Sequence, residues 1–174
     1  MQEQAIKEKV KERYGMIAQP GTFEGACATT ECCCSSEVFS AVEMAKSIGY
    51  DTKELESVPE SSILGVGCGA PVNFADIKEG EVVVGIGSGS GIDVFLSANK
   101  VKHSGKVIGI DVTDEMLGRA RKNANQGAYT NMEFRKGDIE KRISEVRTAD
   151  LVISNCVINL LLIKYPLSRR SIGS

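Results

Sequence analysis

The sequence predicts an α/β fold in which a parallel sheet is wound with helices and preceded by amino-terminal helices. Three observations carry this. The stretch Val82-Val-Val-Gly-Ile-Gly-Ser-Gly-Ser-Gly-Ile-Asp93 runs from a β-branched segment through glycines at 85, 87, 89 and 91 into an apolar-periodic stretch. That is the pattern of a buried strand, a tight turn and a helix. From Glu81 onward such runs alternate with helical patterns, which implies parallel strands joined by right-handed crossovers. A second run, Val107 to Ile110, ends at Asp111, about twenty residues beyond the glycine turn, where a ribose-binding acid belongs in a nucleotide-binding unit.

Any Cβ in the glycine turn would hold the backbone away from a ligand, and some of its positions are expected at positive φ. The amides at the start of the following helix are expected to point at that ligand. The spacing narrows the ligand. A dinucleotide fingerprint needs its third glycine three residues after the second, but position 92 is Ile and the third glycine is Gly91. A phosphate-binding loop would need Gly-Lys-Ser or Gly-Lys-Thr, which is absent. An ordinary strand-to-helix turn would use the same residues. Asp111 likewise has a plain alternative, capping the helix from Asp114 onward, although Thr113 or Asp114 can take that role.

A chain of 174 residues suits one domain, and 42% hydrophobic residues supply a core. A quarter of the residues are charged, the net charge is -2, and no basic stripe stands out, so nucleic acid is not expected as a partner. The amino terminus lacks the apolar core of a signal peptide. The longest apolar run, Leu151 to Ile163, is interrupted by Ser154, Asn155 and Asn159 and is too short to span a bilayer. A cytoplasmic location with no membrane partner follows as the expectation. Six cysteines in that setting should be reduced and read as ligands, nucleophiles or core fillers before disulfides. Four of them, Cys27, Cys32, Cys33 and Cys34, crowd one polar segment.

In chain order, Gln2 to Tyr14 reads as a charged helix with a stripe of Ile6, Val10 and Tyr14, ended by Gly15. Residues 21–36 have no apolar period and read as a loop. Ser35 or Ser36 can then cap a helix carrying Val38, Val42, Ala45 and Ile48, ended by Gly49. Leu64-Gly-Val-Gly-Cys-Gly-Ala-Pro71 is not followed by a helical pattern, so it reads as a close-packed irregular loop presenting Cys68. Strands are expected at Val82 to Ile86, Val107 to Ile110, Met132 to Arg135 and Leu151 to Ser154. Helices are expected through Phe95 and Leu96 and around Met116, Leu117 and Ala120, with a connection near Ile139 to Val146. The crevice at the carboxyl ends of these strands collects Gly87, Gly89, Asp111, Asp138 and Asn155. The division is residues 1–80 as helices and Cys-bearing loops packed on the core, 81–160 as the nucleotide-binding part, and 161–174 as an atypical tail. His103, the only histidine, lies in a polar turn. The 32–34 cysteines include no Cys-x-x-Cys pair of the zinc type.

The compact turn Gly87-x-Gly89-x-Gly91 resembles motif I of class I S-adenosylmethionine-dependent methyltransferases. With Leu64 to Pro71, Gly109-Ile-Asp-Val-Thr113, Met116 and above all Ile153-Ser-Asn-Cys-Val-Ile-Asn-Leu160, the chain resembles the arsenite methyltransferase family. The resemblance implies a class I methyltransferase, Rossmann-like parallel sheet with helices on both faces, S-adenosylmethionine as cofactor, and transfer of methyl groups to trivalent arsenic. It implies arsenite or a related small molecule as acceptor, and a thiol reductant as a further partner. Gly87, Ser88, Gly89 and Gly91 match the turn around the methionine part of the cofactor. Asp111 matches the ribose acid, with Val112, Thr113 and Met116 beside the adenosine and Asp138, Ile139 and Glu140 beside the adenine. Asn155 and Cys156 match the place where the fourth strand meets the methyl group. Cys68 and Cys156 match the family's arsenic thiols. Cys27, or one of Cys32 to Cys34, matches the amino-terminal thiol.

Trivalent arsenic is thiophilic, prefers three thiolates in a pyramid, and keeps a lone pair able to attack a sulfonium methyl group in line. Two departures qualify the resemblance. Motif I carries an acidic residue two positions before its first glycine, facing the cofactor's amino group, whereas this chain has Gly85. After Leu160 the family continues with a further helix, three more strands and a carboxyl-terminal domain bearing another arsenic thiol. Here a different sequence follows, Leu161 to Ser174. The expectation is a shortened or frame-altered member with four strands in the order 3-2-1-4. Its fourth strand would be an apolar edge covered by the tail, by the amino-terminal helices or by a second copy of the chain. Two other functions fit the residues: a non-catalytic thiol-rich module that binds cofactor, metalloid or a partner, and a methyltransferase for another small molecule.

Overall fold

A computed structural model describes residues 2–18, 40–138, 148–156 and 170–173. Three helices come first: α1 (Gln2–Ile17), α2 (Ala41–Ser47) and α3 (Thr52–Glu56), followed by single 3-10 turns at Glu60–Ser62 and Pro71–Asn73. The alternating part is β1 (Val82–Ile86), α4 (Ile92–Val101), β2 (Lys106–Asp111), α5 (Asp114–Gln126), β3 (Met132–Lys136) and β4 (Leu151–Ser154), with β5 at Arg170–Gly173. The strands lie in the order β3-β2-β1-β4-β5, every neighbouring pair parallel. The expected order 3-2-1-4 is therefore present. The reversal of winding between β1 and β4 opens a crevice at the carboxyl ends of the strands.

Register explains how the sheet splits the core. Val83 and Gly85 pair with Val107 and Gly109 of β2, and with Leu151 and Ile153 of β4. Because side chains alternate, these positions share one face. That face meets Val94, Phe95, Ala98 and Val101 of α4, Leu117 and Ala120 of α5, and Ala45, Tyr50, Leu55 and Val58 from the amino-terminal segment in one continuous cluster. Val84, Ile86, Ile108, Ile110 and Val152 form the cluster of the opposite face, each no more than 5% exposed. The connection expected on that side, Ile139 to Val146, lies outside the described residues, and the described helices α4 and α5 share the first face. Gly109 makes room there: a Cβ at 109 would stand 2.6 Å from the ring of Phe134. Phe134 in turn packs tilted against Phe95, ring centroids 5.9 Å apart.

Three local expectations are corrected. Gly15 does not end α1, which runs on to Ile17. A Cβ at 15 would meet the Glu115 carboxylate at 3.4 Å, so the glycine lies where α1 comes against α5. The cap of α2 is Ser40 rather than Ser35 or Ser36. Its hydroxyl accepts from the Glu43 amide, and its own amide donates to the Glu43 carboxylate at 2.8 Å, a reciprocal box that starts the helix at Ala41. Residues 21–36 and Val38 lie outside the described residues.

The third correction concerns the sheet edge. β5 lies parallel on β4, from Leu151 opposite Arg170 to Ser154 opposite Gly173. The sheet thus has five strands rather than the four expected, and of the three covers expected for β4 the tail is the one that lies on it. Among the described residues no helix is long and apolar enough to cross a membrane.

Candidate functional site

The glycine turn sits where β1 hands over to α4. Gly91, the residue that starts α4, has φ of 102°, and a Cβ there would lie 2.8 Å from Phe95 and 2.9 Å from Phe134. Neither the conformation nor the space admits another residue. The turn's amides do not point at a ligand as a set. Those of Gly87 and Ser88 donate to the Ile110 carbonyl and that of Gly91 to the Ser88 carbonyl, while the Gly89 amide donates to Asp111 Oδ2 at 2.8 Å. The turn is tied to the end of β2, and between Gly87 and Gly89 only Ser88 presents a side chain to a ligand.

Asp111 is 8% exposed. Its other oxygen accepts from the Thr113 amide at 2.8 Å. Thr113 is the residue preceding α5, and its side chain makes no capping bond. The carboxylate thus orders both the glycine turn and the entry to α5. Each oxygen carries one backbone bond and keeps further acceptor capacity for ribose hydroxyls.

Around this turn lies an open cavity at the carboxyl ends of the strands, the place where small-molecule sites form in such sheets. Gly87, Ser88 and Gly89 form one wall, Asp111, Val112, Thr113 and Met116 a second, and Asn155 with Cys156 a third. Val10 and Tyr14 of α1 close it from the amino-terminal side, with Leu64, Val66 and Gly67. Ser88 Oγ is buried there with no partner among the described residues, as expected of a hydroxyl awaiting a polar ligand. A glycine-lined wall, a hydrogen-bonded carboxylate and an orphaned hydroxyl fit an adenosine nucleoside carrying a polar tail.

Three of the expected site residues stand back from this space. Gly91 lies beneath the turn, Cys68 is exposed outside the lining, and Asp138 follows Gly137, which does line it. Ile139, Glu140, Cys27 and Cys32 to Cys34 lie outside the described residues.

At the rim, Cys68 and Cys156 are joined as a disulfide with Cα atoms 5.8 Å apart, although 88 residues separate them in the chain. The expectation that these cysteines are reduced is corrected to this extent. The approach is built by Asn155. Its Oδ1 accepts from the Cys68 amide at 3.1 Å, and its Nδ2 donates to the Gly69 carbonyl at 2.8 Å. A Cβ at Gly67 would lie 3.0 Å from that amide group, so the glycine at 67 lets the loop run against Asn155, whereas Gly65 gives way to Met44 and Ala41. Cys156 takes φ of 59°, a left-handed conformation uncommon outside glycine and characteristic of functional sites. Among the described residues no group of three His, Cys, Asp or Glu side chains converges as a metal site.

Two residues to which the sequence assigned no role complete the wall. Tyr50 donates to Asp93 Oδ1 at 2.8 Å, and Asn155 Nδ2 reaches the Tyr50 oxygen at 3.1 Å and Asp93 Oδ2 at 3.2 Å. Burial pushes the Asp93 carboxyl up to about 6, opposed by the hydrogen bonds from Tyr50 and Asn155. Burial, then the neighbouring Asp93 charge, pushes the Tyr50 phenol upward. The available signal was Asp93 itself, an acid set into the apolar start of α4.

The model of the "Methyltransferase domain" family matches residues 77–166. An arsenite methyltransferase of Halobacterium salinarum is 39% identical over 161 residues, 88% of this chain and 40% of that protein. One from Aquipseudomonas alcaligenes is 32% identical, covering 89% of this chain and 43% of its own. The solved arsenic(III) S-adenosylmethionine methyltransferase of Chlamydomonas reinhardtii is 35% identical over 71% of this chain and 41% of that one, with a TM-score of 0.47. The chain spans less than half the length of these relatives.

Proposed function

The chain belongs to the methyltransferase-domain family, and from that premise we propose that it transfers methyl groups from S-adenosylmethionine to trivalent arsenic held by cysteine thiolates. The observation that carries the arsenic part is the meeting of Cys68 with Cys156 at the mouth of the glycine-turn cavity. A carbon, nitrogen or oxygen acceptor has no need of two thiols there, whereas a thiophilic atom does. The likeness to arsenite methyltransferases over 88% of the chain supports the same acceptor.

S-adenosylmethionine, when bound, supplies an electrophilic methyl group on a sulfonium sulfur. Gly87, Ser88 and Gly89 would hold its amino-acid part, and Asp111, Val112, Thr113 and Met116 its adenosine. The chain's own task is then to hold the nucleophile. Cys68 and Cys156 must first be reduced, two electrons and two protons coming from a thiol reductant that leaves as its disulfide. The two thiols displace hydroxide from arsenite as water, and a third thiol completes the pyramid. Cys27 or a member of the Cys32 to Cys34 group would supply it. Each thiol proton leaves with a displaced hydroxide as water, so the exchange balances without a net release of protons. Holding arsenic and methyl in a near-attack arrangement is worth up to roughly 7–11 kcal/mol of barrier, and no general base is required of the protein.

The test is transfer of labelled methyl from S-adenosylmethionine to arsenite, with products separated by chromatography. Transfer above the protein-free rate with a thiol reductant, and none without it, is the expected result. No transfer by the reduced protein sinks the catalytic reading and leaves a cofactor- and thiol-bearing binding module.

A further inference from the structure

The position that carries an acid in motif I is Gly85 here, and the structure indicates what replaces it. A Cβ at 85 would point toward Val94 Cγ2, 3.1 Å away, and Ile153 Cγ1, 4.0 Å away. That is the α4 side of the sheet. Asn155 follows Ile153 by two residues on that same face, and Asn155 is the residue that meets the Asp93 carboxylate. Asp93 therefore reaches the cavity wall from the side on which a residue at 85 would have stood, one helical position before Val94.

We propose that Asp93 binds the α-ammonium group of the cofactor's methionine part, in place of the acid missing at position 85. This rests on the S-adenosylmethionine reading above. Asp93 lines the cavity beside Ser88 and Asn155, and both its oxygens are held by neutral donors, Tyr50 at 2.8 Å and Asn155 at 3.2 Å. Among the described residues it has no ion pair, and the charged group nearest in effect is another acid, Glu54. Buried charges are ordinarily paired. Glu54 is itself paired with Lys100 at 3.1 Å, while the partly buried Asp93 carboxylate is fixed in orientation by neutral hydrogen bonds and meets no basic side chain among the described residues. A primary ammonium has three N–H donors for the acceptor positions that Tyr50 and Asn155 leave open. With its carboxyl near 6, Asp93 is ionised at neutral pH and able to take that role.

The experiment is calorimetric binding of three ligands to the full chain and to Asp93→Asn, with folding checked by circular dichroism. S-adenosylmethionine carries both ammonium and sulfonium, S-adenosylhomocysteine only the ammonium, and 5′-methylthioadenosine neither. Asp93→Asn is expected to weaken the first two about ten- to a hundredfold, the usual loss for a charged hydrogen bond, and to leave methylthioadenosine unchanged. If Asn beside the Asn155 amide prevents folding, Asp93→Ser carries the same comparison. Unchanged binding of the homocysteine and methionine ligands overturns the proposal. So does an equal loss for all three, which would mean that Asp93 only shapes the cavity, and so does a loss confined to S-adenosylmethionine, which would move the contact to the sulfonium. Failure of the unaltered chain to bind any of the three removes the cofactor reading itself, and this proposal with it.

Discussion

Reducing the bond between Cys68 and Cys156 should cost the fold more than any single side-chain contact. The cysteines are 88 residues apart, and closing a loop of that length removes about 15 cal/mol/K of entropy from the unfolded chain, or about 4.6 kcal/mol at 25 °C. This is an upper value for a loop running from the exposed end of the 64–71 stretch, around three strands and two helices, to the end of β4. At roughly 2–4 °C per kcal/mol for a chain of this size, the reduced protein should melt about 10–18 °C lower. The assay is urea and thermal unfolding with and without dithiothreitol, the thiol content being counted by mass after alkylation. Cys68→Ser and Cys156→Ser should each reproduce the reduced protein and show no response to dithiothreitol. A fully oxidised sample whose midpoint moves by less than about 1 kcal/mol on reduction would refute the reasoning, because the long loop would then not constrain the unfolded state.

Other outcomes follow from the same geometry. Arsenite should stabilise the reduced protein by about 2.7 kcal/mol at a hundredfold excess over its dissociation constant, read as a raised melting temperature; an equal shift in the oxidised protein or in Cys156→Ser would place the metalloid elsewhere. Gly91→Ala forces a Cβ to 2.8 Å from Phe95 at φ of 102°, and backbone strain and overpacking at roughly 1–3 kcal/mol each should be visible in urea; a loss below about 1 kcal/mol would contradict the turn geometry. Asp93 titrates higher in the folded chain than its ordinary 3.8, reaching about 6, so the folded state binds more protons across that window and this group's contribution falls as pH rises through it. The loss is at most about 3 kcal/mol at neutral pH, and Asp93→Asn should flatten the stability profile between pH 4 and 7; parallel profiles for the two proteins would count against the buried carboxylate.

Much of this molecule is local and so was legible in the chain. The strands from Val82, Val107, Met132 and Leu151 declare themselves by β-branched runs and the helices between them by apolar period, the parallel sheet follows from their alternation, and the order 3-2-1-4 came from the family resemblance. Helix ends were less legible, since a cap is chosen by tertiary neighbours. Gly15 lies within α1, where the helix comes against Glu115 of α5, and Ser40 starts α2 because Glu43 closes its box. The cysteine pair shows the division most plainly. Sequence analysis singled out Cys68 and Cys156 through the surrounding motifs, but only the fold carries one to the other across 88 residues, with Asn155 as the hinge of the approach.

What the sequence by itself determined is the wound sheet, the glycine turn and the acid that ends β2, written in spacing and residue type within a few tens of residues. Only the tertiary structure decided that the tail adds β5 to the sheet, that the amides of Gly87, Ser88, Gly89 and Gly91 are spent inside the fold, and that Tyr50, Asp93 and Asn155 form one hydrogen-bonded, half-buried wall. The reason is physical: strand pairing, amide satisfaction and the pKa of a carboxyl depend on groups brought close from distant parts of the chain. Periodicity along the chain carries no record of which those will be.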